Sequence, residues 1–361
     1  MIQSLPVYKD ILNQPSALRQ SLQYSINEGK GELIRAAKAI LNARHVVVAS
    51  IGASYAASFP FIYRIAQMGI NVSLEDASEL LHYTTTKYDK DTVFILISRS
   101  GDTIEITRLM EPLKKLGGTL IGVTNVVNSK LALGADILLH LNSPADEFIA
   151  IQTYSATLLV LELLAHQVSG QLETTDCQNH LDDLLAQFSK SIITFDQISQ
   201  RWSTKYKPYQ SVYLLARGAS LASACEGQLL FHEMSWTAAT FYTAGNFRHG
   251  PWEIVQDGFL GIVFAPNDRT YDLNIRLAYD IACQGGDVYL VSHQISRKLP
   301  ANVEQIVISK TDPFSSPLLE IIPVQVMIYQ WALYKEHQPG LFRASSQITL
   351  SEGEPLPTQD P

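Results

Sequence analysis

Six residues, Ser98-Arg99-Ser100-Gly101-Asp102-Thr103, place three hydroxyls, a guanidinium and a glycine between an apolar run and a helix-prone segment. Phosphate suits such a loop. Free backbone N–H groups and the positive end of a helix dipole attract an anion, hydroxyls donate to its oxygens, and glycine lets the backbone approach closely. The same residue types also serve as helix caps, with Asp102 and Glu105 satisfying the dipole without any ligand. A second hydroxyl-bearing turn, Ile51-Gly52-Ala53-Ser54-Tyr55, follows an earlier apolar run, so two strand ends can converge on one small polar ligand. Neither turn is a GxGxxG fingerprint or a P-loop, which disfavours a nucleotide cofactor.

The stretch from Glu226 to Glu253 mixes Glu, His and Arg with bulky apolar residues. Glu233 follows Glu226 by seven residues, on the same face of an expected helix, and His249 precedes Gly250-Pro251, a strong turn signal. A histidine titrates near neutrality and a partly buried glutamate can be raised towards it, so the pair could move protons on a sugar. Their plain alternative is structural, with Glu233 in an ion pair and His249 capping a turn. His232-Glu233 is followed by Trp at position 236 where HExxH needs His, so no metal is expected.

These groups need a scaffold, and the sequence offers one. Short apolar runs at 45–50, 71–75, 93–98, 119–124 and 137–141 alternate with helical segments such as 54–68 and 102–116. Strands of this kind need cover on both faces, as in a doubly wound parallel sheet. After a polar, helix-prone stretch the alternation restarts at 211–217, 259–265, 287–292 and 305–309. VVVASIGASYAAS in the first half parallels VYLLARGASLASA in the second, which reads as two copies of one fold. The expected divisions are a first domain with an N-terminal helix at 1–170, a helical connector at 171–208, a second domain at 209–340 and a tail at 341–361, its last part, from Ser351, an extended arm.

The composition sets the bounds. The 361 residues are 46% hydrophobic, enough for two cores without disulfide staples, and the three cysteines suit a reducing cytoplasm. No signal peptide or membrane span is legible. A net charge of −8 without a Lys/Arg block argues against a nucleic-acid binder, so an anionic ligand must be held locally.

On these residues the chain resembles the sugar isomerase (SIS) domain family, in particular the tandem-SIS isomerase half of glutamine-fructose-6-phosphate aminotransferase and its free-standing relatives. The pieces are the Gly52-Ala53-Ser54 turn, the Ser98–Thr103 loop, Arg217-Gly218, Glu226-Gly227, Glu233 and Phe247-Arg248-His249-Gly250-Pro251, in family order across nearly the whole chain. The resemblance implies two tandem α/β domains, each a five-stranded, mostly parallel, flavodoxin-like sheet between helices. It further implies a phosphosugar enzyme, an aldose/ketose isomerase or an amino-sugar or fructosamine 6-phosphate deaminase/deglycase, working as a homodimer without cofactor, nucleic acid or membrane. Ser98, Arg99, Ser100 and Thr103 would hold the phosphate with help from Ser54, and Glu233 would be the proton-transfer base. His249 would assist ring opening from the neighbouring subunit, and Ala150 and Gln152 would line the sugar. Two family lysines are absent: Leu230 stands at one position, and the stretch from Phe342 to Thr349 lacks the other. The chain as read opens at the SIS part, so glutamine hydrolysis is not expected of it. Loss of both lysines also leaves room for a phosphosugar sensor without turnover.

Overall fold

The continuous apolar runs do become parallel strands. The structure, a computed structural model, describes residues 5–294, 299–344 and 348–351. In the first half, β1 (His45–Ser50), β2 (Val72–Asp76), β3 (Thr92–Ile97), β4 (Thr119–Thr124) and β5 (Ile137–His140) form one sheet in the order β2-β1-β3-β4-β5. In the second, β6 (Ser211–Ala216), β7 (Ala239–Thr243), β8 (Phe259–Ala265), β9 (Asp287–Ser292) and β10 (Val303–Val307) form the sheet β10-β9-β8-β6-β7. All neighbouring strands pair parallel, and each half, counted from its own first strand, runs 2-1-3-4-5. The duplication seen in the local motif therefore extends to the whole topology.

Among the described residues nine longer helices cover these sheets. They are α1 (Pro6–Ile26), α2 (Lys30–Asn42), α3 (Ala53–Gln67), α4 (Ile104–Lys115), α5 (Gln152–Val168), α6 (Thr175–Gln197), α7 (Leu221–Ser235), α8 (Tyr271–Cys283) and α9 (Ser316–Tyr334). Helices α5 and α9 are buried nearly all round because they pass between the halves. One apolar cluster consequently joins them, running from Leu159 and Leu163 through Phe231 to Ile322 and Trp331. Each such fully buried side chain contributes about 1.5–3 kcal/mol. Helix α1 ties the halves together: Gln14 Nε2 donates to Gln325 Oε1 on α9 at 2.8 Å, and Ser155 Oγ on α5 donates to Gln14 Oε1 at 2.6 Å.

The edge strand β7 is the element the sequence pattern hides. Only its first residue is buried, so it carries no continuous apolar run, and it falls inside a stretch dominated by catalytic-type residues. In the C-terminal segment, Ser345–Gln347 and residues 352–361 of the expected arm lie outside the described residues. Among the described residues no helix is long and apolar enough to cross a membrane.

Candidate active site

Strand order in the first sheet reverses between β1 and β3, so the loops leaving these two strands diverge to opposite faces and open a crevice at their carboxyl ends. Both hydroxyl-bearing turns lie there. Together they line a cavity of about 270 Å³ whose wall includes Gly52, Ser54, Ser98, Arg99, Ser100 and Thr103. Glu233 reaches the same cavity from α7 of the second half, and Phe148, Ile149 and Ala150 close it from the loop before α5.

The Ser98–Thr103 loop is shaped by a glycine. Gly101 sits at φ +69°, and an added Cβ would lie 2.0 Å from Ser129 Oγ. The resulting tight turn gathers the hydroxyls: Ser98 Oγ is 2.8 Å from Thr103 Oγ1 and 3.4 Å from Ser100 Oγ. Thr103 occupies the N-cap position of α4, yet its side chain makes no capping bond to the helix. The capping alternative therefore fails for Thr103. Asp102 does take a capping role, accepting from the Lys130 N–H of a neighbouring short helix at 3.1 Å. Three convergent hydroxyls at a helix N-terminus are chemically able to donate to an anion.

Arg99 is the single basic side chain among the described cavity-lining residues, and it is already engaged. Its guanidinium lies 3.8 Å from Asp146 and donates to the Phe148 carbonyl at 3.2 Å. Asp146 in turn accepts from the N–H groups of Gln152 and Thr153 and from the Thr153 hydroxyl, fixing the start of α5. Arg99 thus braces the loop before α5 as well as facing the crevice.

Glu233 is partly buried, and Leu229, Phe148 and Ile149 line the same cavity. Burial pushes its carboxyl up to about 7, while the positive charge of Arg99 works against the rise. A carboxyl of that kind accepts and returns protons near neutral pH. Glu226, two turns earlier on α7, is fully buried, and burial followed by the charge of Glu233 raises it well above the carboxylate range.

Not every expected residue joins this cavity. Ser54, Ser98, Arg99, Ser100, Thr103, Ala150 and Glu233 line it. Gln152 does not: its side chain turns away, donating to Asp10 Oδ1 at 2.9 Å and accepting from Asn13 at 2.6 Å. His249 is exposed on the loop after β7 and is not part of this chain's cavity wall. The structure adds Thr153, Tyr154 and Thr157 from α5, together with Phe342, Ile348 and Thr349 from the C-terminal segment. The Thr349 carbonyl accepts from the Ile104 N–H at 3.1 Å, which seats that segment on the first turn of α4. Thr153 and Thr157 are spaced one turn apart and mark one helix face, but α5 is so apolar that the stripe reads as core.

One His/Glu group among the described residues has metal-ligand spacing, Glu162, His166 and His180, with ligand atoms within 4.8 Å of one another. Arg64 already brings a positive charge to this group. Its Nη1 lies 3.2 Å from His166 Nε2, and its Nη2 pairs with Asp312 at 2.5 Å. Glu162 instead accepts from His180 at 3.2 Å and from Ser315, so the group reads as a polar tie between the halves.

A duplicated flavodoxin-ordered fold with a hydroxyl-lined crevice, faced by a partly buried carboxyl, defines the class. The chain belongs to the SIS domain family, whose pattern matches residues 39–167 and 206–334. It is 27% identical over 341 residues to a glutamine–fructose-6-phosphate aminotransferase (isomerizing) of Clostridium tetani, covering 91% of this chain and 56% of that protein. The chain thus spans about half the length of the curated relatives it matches. Among solved structures it is similar to the C-terminal domain of glucosamine-fructose-6-phosphate aminotransferase from Francisella tularensis, with a TM-score of 0.84 and 23% identity, covering 92% of this chain and 97% of that one. It is also similar to tagatose-6-phosphate ketose/aldose isomerase from Escherichia coli, with a TM-score of 0.79 and 18% identity, covering 94% and 95% respectively. These two likenesses bear on the fold.

Proposed function

We propose that this chain is a cytoplasmic phosphosugar isomerase, or a deaminase/deglycase of a 6-phosphorylated amino sugar or fructosamine, working as a homodimer. The observation that carries the reading is Glu233, raised to about 7 and facing the same cavity as the Ser98–Ser100–Thr103 hydroxyls. The phosphate sits on those hydroxyls and on the first turn of α4, with Ser54 closing the other side and Arg99 holding the wall. This anchors the sugar's far end. Its carbonyl end then lies towards Glu233, which removes the proton on the carbon beside the carbonyl and returns it to the neighbouring carbon. His249 of a second subunit opens the sugar ring. Leu230 cannot form an imine or hold a charge, so lysine chemistry at that position is absent from this mechanism.

The test is a panel of hexose 6-phosphates, amino-sugar phosphates and fructosamine phosphates incubated with the protein in D2O. Wild-type protein is expected to wash deuterium into the carbon beside the carbonyl and to form product. Glu233→Gln should lower turnover by about 10²–10⁴-fold while leaving phosphosugar binding intact. Tight binding with neither exchange nor product across the panel would instead establish a sensor, the outcome that the missing lysines favour.

A further inference from the structure

The helix that presents Glu233 ends on an unusual residue. Helices commonly stop on one residue in the left-handed conformation, usually glycine, because a Cβ is strained there. Helix α7 stops on Trp236 at φ +47°. Strain of this kind persists only where the surroundings impose it, and it gathers at sites that work.

The surroundings of Trp236 are the chain that follows α9. Lys335 Nζ donates to the Ser235 carbonyl at 2.7 Å and to Thr237 Oγ1 at 2.9 Å, and His337 Nδ1 donates to the same carbonyl at 3.1 Å. The His337 ring centroid lies 4.1 Å from that of Trp236 at an interplanar angle of 32°, and the Arg343 guanidinium carbon stands 4.1 Å over the Trp236 ring. Among aromatic side chains, Trp holds a cation best. Between these two contacts the chain passes Gly340, packed so closely on α1 that an added Cβ would collide with Val7, and then places Phe342 in the cavity wall. Phe342 therefore lines the same cavity as Glu233 and is the chain neighbour of the arginine that Trp236 holds.

We infer that Trp236 is a positioning residue for the reaction: by holding His337 and Arg343 it pins the segment between them and keeps Phe342 against the space that Glu233 faces. The assignment rests on Glu233 being the proton-transfer base and adds what keeps water from it. Burial is what raises the Glu233 carboxyl, so water admitted beside it brings the carboxyl down towards its ordinary 4.5. The charged groups about Glu233 are independent of Trp236. Arg99 opposes the rise, Glu226 two turns earlier is kept protonated by its own burial, and the exposed His232 is bonded to the Ala239 backbone at 3.0 Å. A neutral substitution at Trp236 thus acts on Glu233 through cover and removes no charge.

Trp236→Gly separates the two roles a residue at this place can have, because glycine suits the left-handed turn and offers no ring. The pH dependence of kcat/KM is measured for wild type, Trp236→Gly and Trp236→Phe on whichever phosphosugar the wild-type protein converts, and inorganic phosphate is titrated as a competitor. In Trp236→Gly the rising limb should move from about 7 to lower pH by about one unit or more, with phosphate affinity within about threefold of wild type. Trp236→Phe, which keeps an aromatic face, should restore most of that shift. A limb that stays in place in Trp236→Gly would overturn the inference, show that Trp236 only ends the helix, and leave Glu233 standing as the base. A wild-type profile without the limb, or one that Glu233→Gln leaves unchanged, would remove the base reading and this inference with it. Should Trp236→Gly fail to fold, Arg343→Gln decides from the other side of the contact. Loss of a positive charge can only move the limb up. A downward shift in Arg343→Gln therefore reports lost cover, and its absence overturns the inference.

Discussion

Glu233 owes its raised carboxyl chiefly to burial, and the base role proposed for it requires the ionised form. Activity measured as kcat/KM should therefore climb with pH through about 7 and level off above it. Arg99 is the opposing influence, so Arg99→Gln should shift that limb to higher pH, whereas a limb that stays in place would mean another group controls the rate. The same shift acts on stability with a definite sign. Because the folded carboxyl titrates near 7 and the unfolded one near its ordinary 4.5, the folded state holds the extra proton between these values, and stability declines as pH rises through that window. Glu233→Gln removes this decline, so its Tm should fall less than that of wild type between pH 5 and pH 8.

Among the elements, the turn from β3 into α4 carries the most geometry for its length. Gly101 is left-handed there, and a methyl group at its Cβ would meet Ser129 Oγ at 2.0 Å and Thr124 Oγ1 at 2.9 Å. Ser129 cannot yield freely, because its hydroxyl both donates to the Val126 carbonyl and caps the Ala132 N–H. Gly101→Ala should cost about 1–3 kcal/mol in urea unfolding and weaken phosphosugar affinity by about tenfold or more. Unchanged affinity would show that the turn does not shape the anion site. This element was legible in the sequence because its information is local: hydroxyls, a glycine and an apolar strand lie within a dozen residues. Strand β7 was not, since an edge strand with one buried residue has no apolar signature. Gln152 was misplaced for a different reason. A polar residue at a helix start can turn either way, and only the packing of α1 against α5, with Asp10 and Asn13 waiting, turns it from the cavity. Asp146 was equally silent, because its tie to Arg99 joins residues distant in the chain.

The molecule as a whole has duplicated its fold without duplicating its site. Both sheets reverse strand order in the same way, yet the Gly52-Ala53-Ser54 and Ser98–Thr103 loops of the first half find in the second only Arg217-Gly218-Ala219-Ser220 and a turn held by Asp268, which accepts from the Thr270 N–H and hydroxyl. The second half instead supplies α7 with Glu233 to the first half's crevice, and its loop after β7 holds His249 out in the open. In the homodimer proposed above, this histidine completes the site of the other copy, and symmetry makes that exchange reciprocal. Co-expressing a Glu233→Gln chain with a His249→Ala chain under different tags tests the arrangement directly. In a mixed dimer one site is built from the intact Glu233 of one chain and the intact His249 of the other, while the second site lacks both. Random pairing gives mixed dimers half the time with one good site of two, so activity should recover to about a quarter of wild type from two nearly inactive parents. If His249 served its own chain, every site would carry a defect, and the mixture would do no better than the sum of the parents.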